Sequence, residues 1–146
     1  MRTFLFVLFC GICFLPVLTV LPGCHAKASR EEGGAPLVSQ KDVQKLLSKS
    51  DVLIVDNRPA AKFSEGHIPG AVNLPYFQKD DPTNVMDPSN LKQAASGKKT
   101  IIFYCSGMLR AFHALNAARE WGITAELFLY NAGFPDWVQQ NGPIEK

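Results

Sequence analysis

Cys105 follows the apolar run Thr100-Ile101-Ile102-Phe103-Tyr104 and precedes Ser106-Gly107-Met108-Leu109-Arg110, where an Ala-rich, helix-favouring stretch begins. A strand that breaks into a short loop and then a helix aims the loop's backbone N–H groups at whatever the loop encloses, and the helix dipole adds to them. Here the enclosed atom is sulfur, and such surroundings favour the thiolate. The dipole contributes about 0.3 to 1 kcal/mol, occasionally about 2. Any larger effect has to come from Arg110 or from direct N–H contacts. A thiolate held in this way is a nucleophile.

The chain has four cysteines in 146 residues, and their placement isolates this one. Arg2 is followed by an uncharged apolar run over residues 4–21, interrupted by Gly11, Pro16 and Thr19. This is an export signal or membrane anchor lying outside the fold. Its end, Leu21-Pro22-Gly23-Cys24, resembles a bacterial lipoprotein signal, with Pro22 as an unusual occupant of the middle position. The resemblance implies cleavage before Cys24 and lipidation of that residue. The alternative is an uncleaved membrane helix, because about 18 apolar residues is near the minimum for a span. Either way the C-terminal part is expected outside the cytoplasm, anchored to a membrane. His25 directly after Cys24 brings no acidic retention signal, which suits an outer-membrane destination if the cell has two membranes.

Cys10 and Cys13 fall in the removed segment and Cys24 would carry lipid, so Cys105 is the one thiol left to the mature soluble part. An internal disulfide is then impossible, and a free thiol in an oxidising compartment is a liability unless it is buried or used. A net charge of +2, with no basic run and no acidic tail, gives no indication of nucleic acid. The three histidines, His25, His67 and His113, have no metal-ligand spacing, so neither metal nor cofactor is expected.

The expected organisation is a signal over residues 1–23, a flexible tether over 24–36 closed by Gly33-Gly34 and Pro36, and one domain over 37–146. About 110 residues suits a single core. Ser39 to Asp42 reads as a helix cap, with Val43, Leu46 and Leu47 at helical spacing after it. Strands are predicted over residues 52–55, 71–74, 100–104 and 126–130. Helices are predicted near Leu91, over 110–121 with Gly122 to end it, and over 134–140. Strand alternating with helix argues a parallel sheet covered on both faces. In such sheets the ligand crevice lies beyond the strands' carboxyl ends, where Asp56 and Cys105 both fall.

Four ordered motifs then carry a resemblance. They are Asp56-Asn57-Arg58; Phe63-x-x-Gly66-His67-Ile68-Pro69-Gly70-Ala71-x-Asn73-Leu74-Pro75; Tyr104-Cys105 with Arg110; and Gly133-Phe134-Pro135-x-Trp137. Together they resemble the rhodanese family over residues 51–137. The resemblance implies a doubly wound α/β domain and transfer of sulfane sulfur through a persulfide on Cys105. The catalytic residue is then Cys105, and Ser106, Gly107, Met108, Leu109 and Arg110 bind substrate. The donor is a small sulfur compound or a persulfidated protein, and the acceptor a thiol or cyanide. A non-catalytic module that binds a partner or senses redox state through the thiol is the competing reading.

Cys105 and Arg110 bound a six-residue loop, one shorter than the loops with which related phosphatases and arsenate reductases wrap a tetrahedral oxyanion. The shorter loop favours sulfur, while its single cation leaves thiosulfate, mercaptopyruvate and a protein persulfide open as donors. Family members often carry Gly where Met108 stands, so strain is expected there if the position needs positive φ. Asp56 and Arg58 are expected either to lie beside the substrate or to pin neighbouring loops, and neither is assigned a catalytic role. His67 is expected to fix its turn by a hydrogen bond, His113 to be structural, and Phe134 and Trp137 to pack. The polar loop over residues 78–88 is expected to run over the surface, with gating of the rim or docking of a partner as its alternative role.

Overall fold

The computed structural model describes residues 31, 32 and 34–146. The expected signal, Cys24, His25 and most of the tether lie outside them. Eleven elements follow in order: β1 (Glu31–Glu32), β2 (Ala35–Pro36), α1 (Gln40–Leu46), β3 (Val52–Asp56), α2 (Ala60–Glu65), β4 (Val72–Asn73), α3 (Pro88–Ala94), β5 (Thr100–Tyr104), α4 (Leu109–Glu120), β6 (Glu126–Tyr130) and α5 (Gly133–Gln139). Strands β4, β3, β5 and β6 lie in that order in a four-stranded, all-parallel sheet. Leu37 adds a parallel bridge to Leu129 at the β6 edge.

Alternation along the three long strands divides the core in two. Leu53, Val55, Ile101, Phe103, Leu127 and Leu129 share one cluster with Leu91 of α3 and Ala111, Ala114, Leu115 and Ala118 of α4. Ile54, Ile102, Tyr104 and Tyr130 share the other with Val43 of α1 and Trp137 of α5. Helices therefore cover both faces, as the doubly wound reading expects. Ala111, Ala114 and Ala118 are fully buried at helical spacing, and their small side chains let α4 lie close on the sheet. That contact fixes where the helix, and so the loop before it, can start.

Strong local signals form the elements they predict. Ser39 and Asp42 form the expected capping box, and Gly122 adopts φ +70° directly after the Trp121 cap of α4. The strand expected over 71–74 pairs only at Val72 and Asn73. Helix α2 was not foreseen, because it buries no residue and so has no apolar stripe to read. Nor was the β1–β2 hairpin, whose Ala35 is fully buried at the C-terminal end of the expected tether.

Candidate functional site

Cys105 lies just beyond β5, with its side chain in the cluster under α4 and only 3% exposed. Its Sγ donates to the Gly107 carbonyl at 3.1 Å. The amides of Ser106, Gly107 and Met108 donate to no described residue. Those of Leu109 and Arg110 open α4, where first-turn N–H groups have no partner within the helix. A run of backbone amides without a described acceptor, directly after the cysteine and leading into a helix start, is suited to negative charge.

The loop is held from behind by the turn into α5. Phe134 donates its amide to the Cys105 carbonyl at 2.8 Å. Gly133 has φ +70°, and a Cβ there would stand 2.5 Å from the Cys105 carbonyl oxygen and 2.9 Å from the Gly107 nitrogen. Only glycine permits this approach. Gly133 belongs to the last of the four motifs, and its contact with the Cys105 loop leaves no local signal in the sequence.

A buried ion pair braces the same region. Arg58 and Asp56 meet at 2.6 Å with side chains 5% and 0% exposed. The Arg58 guanidinium also donates to the Gly66 carbonyl at 2.8 Å and lies 4.0 Å from the Phe134 ring centroid. Burial opposes the arginine's charge, but the hydrogen bonds and charge of Asp56 outweigh it and raise its pKa. The pair thus joins the turn after β3 to Gly66 and Phe134, the bracing contacts expected of it, and Arg58 also borders the cleft that Ser106 lines. Burial, helped by the Asp56 charge, pushes the Tyr104 hydroxyl far above its ordinary pKa. Tyr104 therefore stays neutral, its oxygen accepting the Ile68 amide at 3.2 Å.

The predicted loop residues separate in space. Arg110 borders a cleft of about 400 Å³ whose other walls include Asn57, Pro75, Tyr76, Phe77, Thr83 and Val85. Ser106 borders a second cleft with Phe134, Lys62 and Lys146. Leu109 is 55% exposed, and Met108 packs partly against the core. The strain expected at Met108 is absent: its φ is −105°, in the right-handed region, so this loop needs no glycine there. The residues of the 78–88 loop that reach the rim are Thr83 and Val85.

Asn57 was quoted only as a motif letter, yet it is fully buried and borders the Arg110 cleft. Its Nδ2 donates to the Leu74 carbonyl at 2.8 Å, while Oδ1 finds no partner among the described residues. That oxygen is itself buried, and Arg110 is the one cation among the residues that line the cleft. His67 donates from Nδ1 to the Phe63 carbonyl at 3.1 Å and fixes its turn, as expected. Trp137 is fully buried. Among the described residues no His, Cys, Asp and Glu group is placed to hold a metal.

Comparison with known proteins follows from this geometry. The Rhodanese-like domain family matches residues 39–140. The chain is 32% identical over 111 residues to the thiosulfate:glutathione sulfurtransferase of Saccharomyces cerevisiae, covering 71% of this chain and 78% of that protein. It is 26% identical over 113 residues to the Homo sapiens protein of the same name, covering 73% and 96%. A solved Bacillus halodurans protein superposes with a TM-score of 0.63 at 24% identity, over 75% of each chain, which is a likeness of fold.

Proposed function

The chain belongs to the rhodanese-like family and is a sulfurtransferase in that general sense, and from this premise we propose that Cys105 carries the transferred sulfur as a persulfide. The observation that supports it most is that the amides of Ser106, Gly107 and Met108, which directly follow Cys105, donate to no described residue. With the thiol protonated, Sγ donates to the Gly107 carbonyl. Loss of the proton removes that bond and turns the carbonyl into a repulsive neighbour, so the thiolate is better served by the N–H groups of residues 106–110.

In the first half-reaction the thiolate attacks the outer sulfur of a donor such as thiosulfate. The Cys105 S–S bond forms, the donor's S–S bond breaks, and sulfite leaves with the electron pair. A second thiolate then attacks the outer sulfur of the persulfide, takes it as its own persulfide and releases the Cys105 thiolate. Both steps pass negative charge through the loop, and neither needs a general base, metal or cofactor. Arg110 is the loop's cation and meets the anionic donor from the cleft side. Two relatives named for thiosulfate and glutathione make these the first donor and acceptor to try.

Intact-protein mass after incubation with thiosulfate, mercaptopyruvate or a persulfidated protein tests this reading. The wild type gains one sulfur, removable by cyanide or a thiol, and Cys105→Ser gains none. A wild-type protein that takes up no removable sulfur from any of the three overturns it and leaves the non-catalytic module. For the N-terminus we propose lipid attachment at Cys24, supported by the Leu21-Pro22-Gly23-Cys24 pattern. Cys24→Ala should then abolish lipid labelling, whereas membrane retention without lipid in the wild type identifies an uncleaved helix. Among the described residues no helix is long and apolar enough to cross a membrane.

A further inference from the structure

We propose that Phe77 and His113 are positioning residues that hold Arg110 and so set how strongly the Cys105 loop recognises an anionic donor; this deepens the reading of Arg110 given above. The Arg110 guanidinium carbon lies 5.3 Å from the centroid of the Phe77 ring. Among the described residues Arg110 has no carboxylate partner. The ring is therefore what orients it. This choice of partner has a chemical consequence. A carboxylate would neutralise the charge and occupy the N–H donors, whereas the negative face of a ring attracts the cation and leaves its donors free for an anion.

Phe77 is not held by burial, since 38% of it is exposed. Its backbone is gripped instead. The carbonyl accepts from His113 Nδ1 at 2.7 Å, and the amide donates to Asn84 Oδ1 at 2.8 Å. Arg110 and His113 are three residues apart on α4 and so share a face of that helix. One helix thus grips the Phe77 carbonyl with one side chain and lays the guanidinium on its ring with another. Because a carbonyl can only accept, His113 must carry its proton on Nδ1 in this contact. Phe77, like Tyr76, Thr83 and Val85 on the same cleft, lies outside the four motifs.

The test uses the full-length protein and four variants: Phe77→Leu, Phe77→Tyr, His113→Ala and His113→Asn. Two quantities are read. One is the thiosulfate concentration that half-saturates sulfur loading of Cys105, together with the limiting rate. The other is the ratio of Cys105 alkylation rates with anionic iodoacetate and neutral iodoacetamide, located by peptide mass. Phe77→Leu should raise half-saturation and lower the alkylation ratio by about two- to fivefold, the factor an exposed cation–π contact corresponds to, with the limiting rate unchanged. His113→Ala should do the same. Phe77→Tyr keeps the ring and His113→Asn keeps a donor near Nδ1, so both should retain wild-type values. Phe77→Leu at wild-type values, or Leu and Tyr shifting alike, overturns the proposal. If wild-type Cys105 accepts no sulfur from any donor, the persulfide reading falls and the alkylation ratio alone decides the positioning role.

Discussion

Gly133→Ala abolishes sulfur loading of Cys105 and lowers the melting temperature by about 10 °C or more, corresponding to a loss of about 2 to 4 kcal/mol in a domain of this size. Two effects add. Alanine is strained at φ +70° wherever it occurs, and here its Cβ would also stand 2.5 Å from the Cys105 carbonyl oxygen and 3.1 Å from that of Gly107. Neither neighbour is the flexible end of a side chain. The loop backbone itself has to move, breaking the 2.8 Å bond from the Phe134 amide and shifting Cys105 with it.

Gly122→Ala separates the two effects. Gly122 has φ +70° but nothing within 4 Å of a Cβ. It should lose about 1 to 2 kcal/mol from backbone conformation and still load Cys105 at the wild-type rate. Thermal melts and intact mass on the two variants check both claims. Equal loading of Gly133→Ala and Gly122→Ala would show that the contact with the loop is immaterial.

Breaking the Asp56–Arg58 pair gives the second large effect. Asp56→Ala leaves the guanidinium 5% exposed and without its carboxylate, and such uncompensated burial costs about 3 to 5 kcal/mol. Asp56 also accepts the Arg58 amide at 2.9 Å, so the turn after β3 loses a second bond. Arg58→Ala strands the carboxylate in turn and removes the bond to Gly66 and the ring contact with Phe134. The double variant should be less damaged than the two losses summed, by about 1 to 3 kcal/mol, because each single change leaves a charge that the other would have removed. Urea unfolding of the four proteins measures this coupling. Additive losses would mean that the pair acts through two independent sets of contacts.

These outcomes bear on the site because the brace and the loop share Phe134. Its ring packs on Arg58, its amide holds Cys105, and the preceding Gly133 lies against Gly107. A loss at the ion pair is therefore expected to reach the thiol through one residue. Phe77 and His113 act from the opposite side, through Arg110. The loop is held at both of its ends by groups distant in the chain.

By itself the amino-acid sequence determined the elements whose signals are local and the order in which they come. The apolar run of β5, the Ala-rich α4 and Gly122 behind it are each readable within a dozen residues, and together they put Cys105 between a strand end and a helix start. The parallel, two-faced sheet followed from their alternation. Tertiary structure alone decided what surrounds the thiol. Gly133 against Cys105, Arg58 against Phe134 and His113 against Phe77 join residues far apart in the chain. Parallel strands require long crossovers, so residues that meet at the strands' carboxyl ends are distant in sequence and leave no periodic trace. Met108 shows the same limit locally. Its residue type suggested strain, but the loop closes with its φ at −105°. Residue types could single out Cys105; the packing of α4 and α5 on the sheet decides what surrounds it.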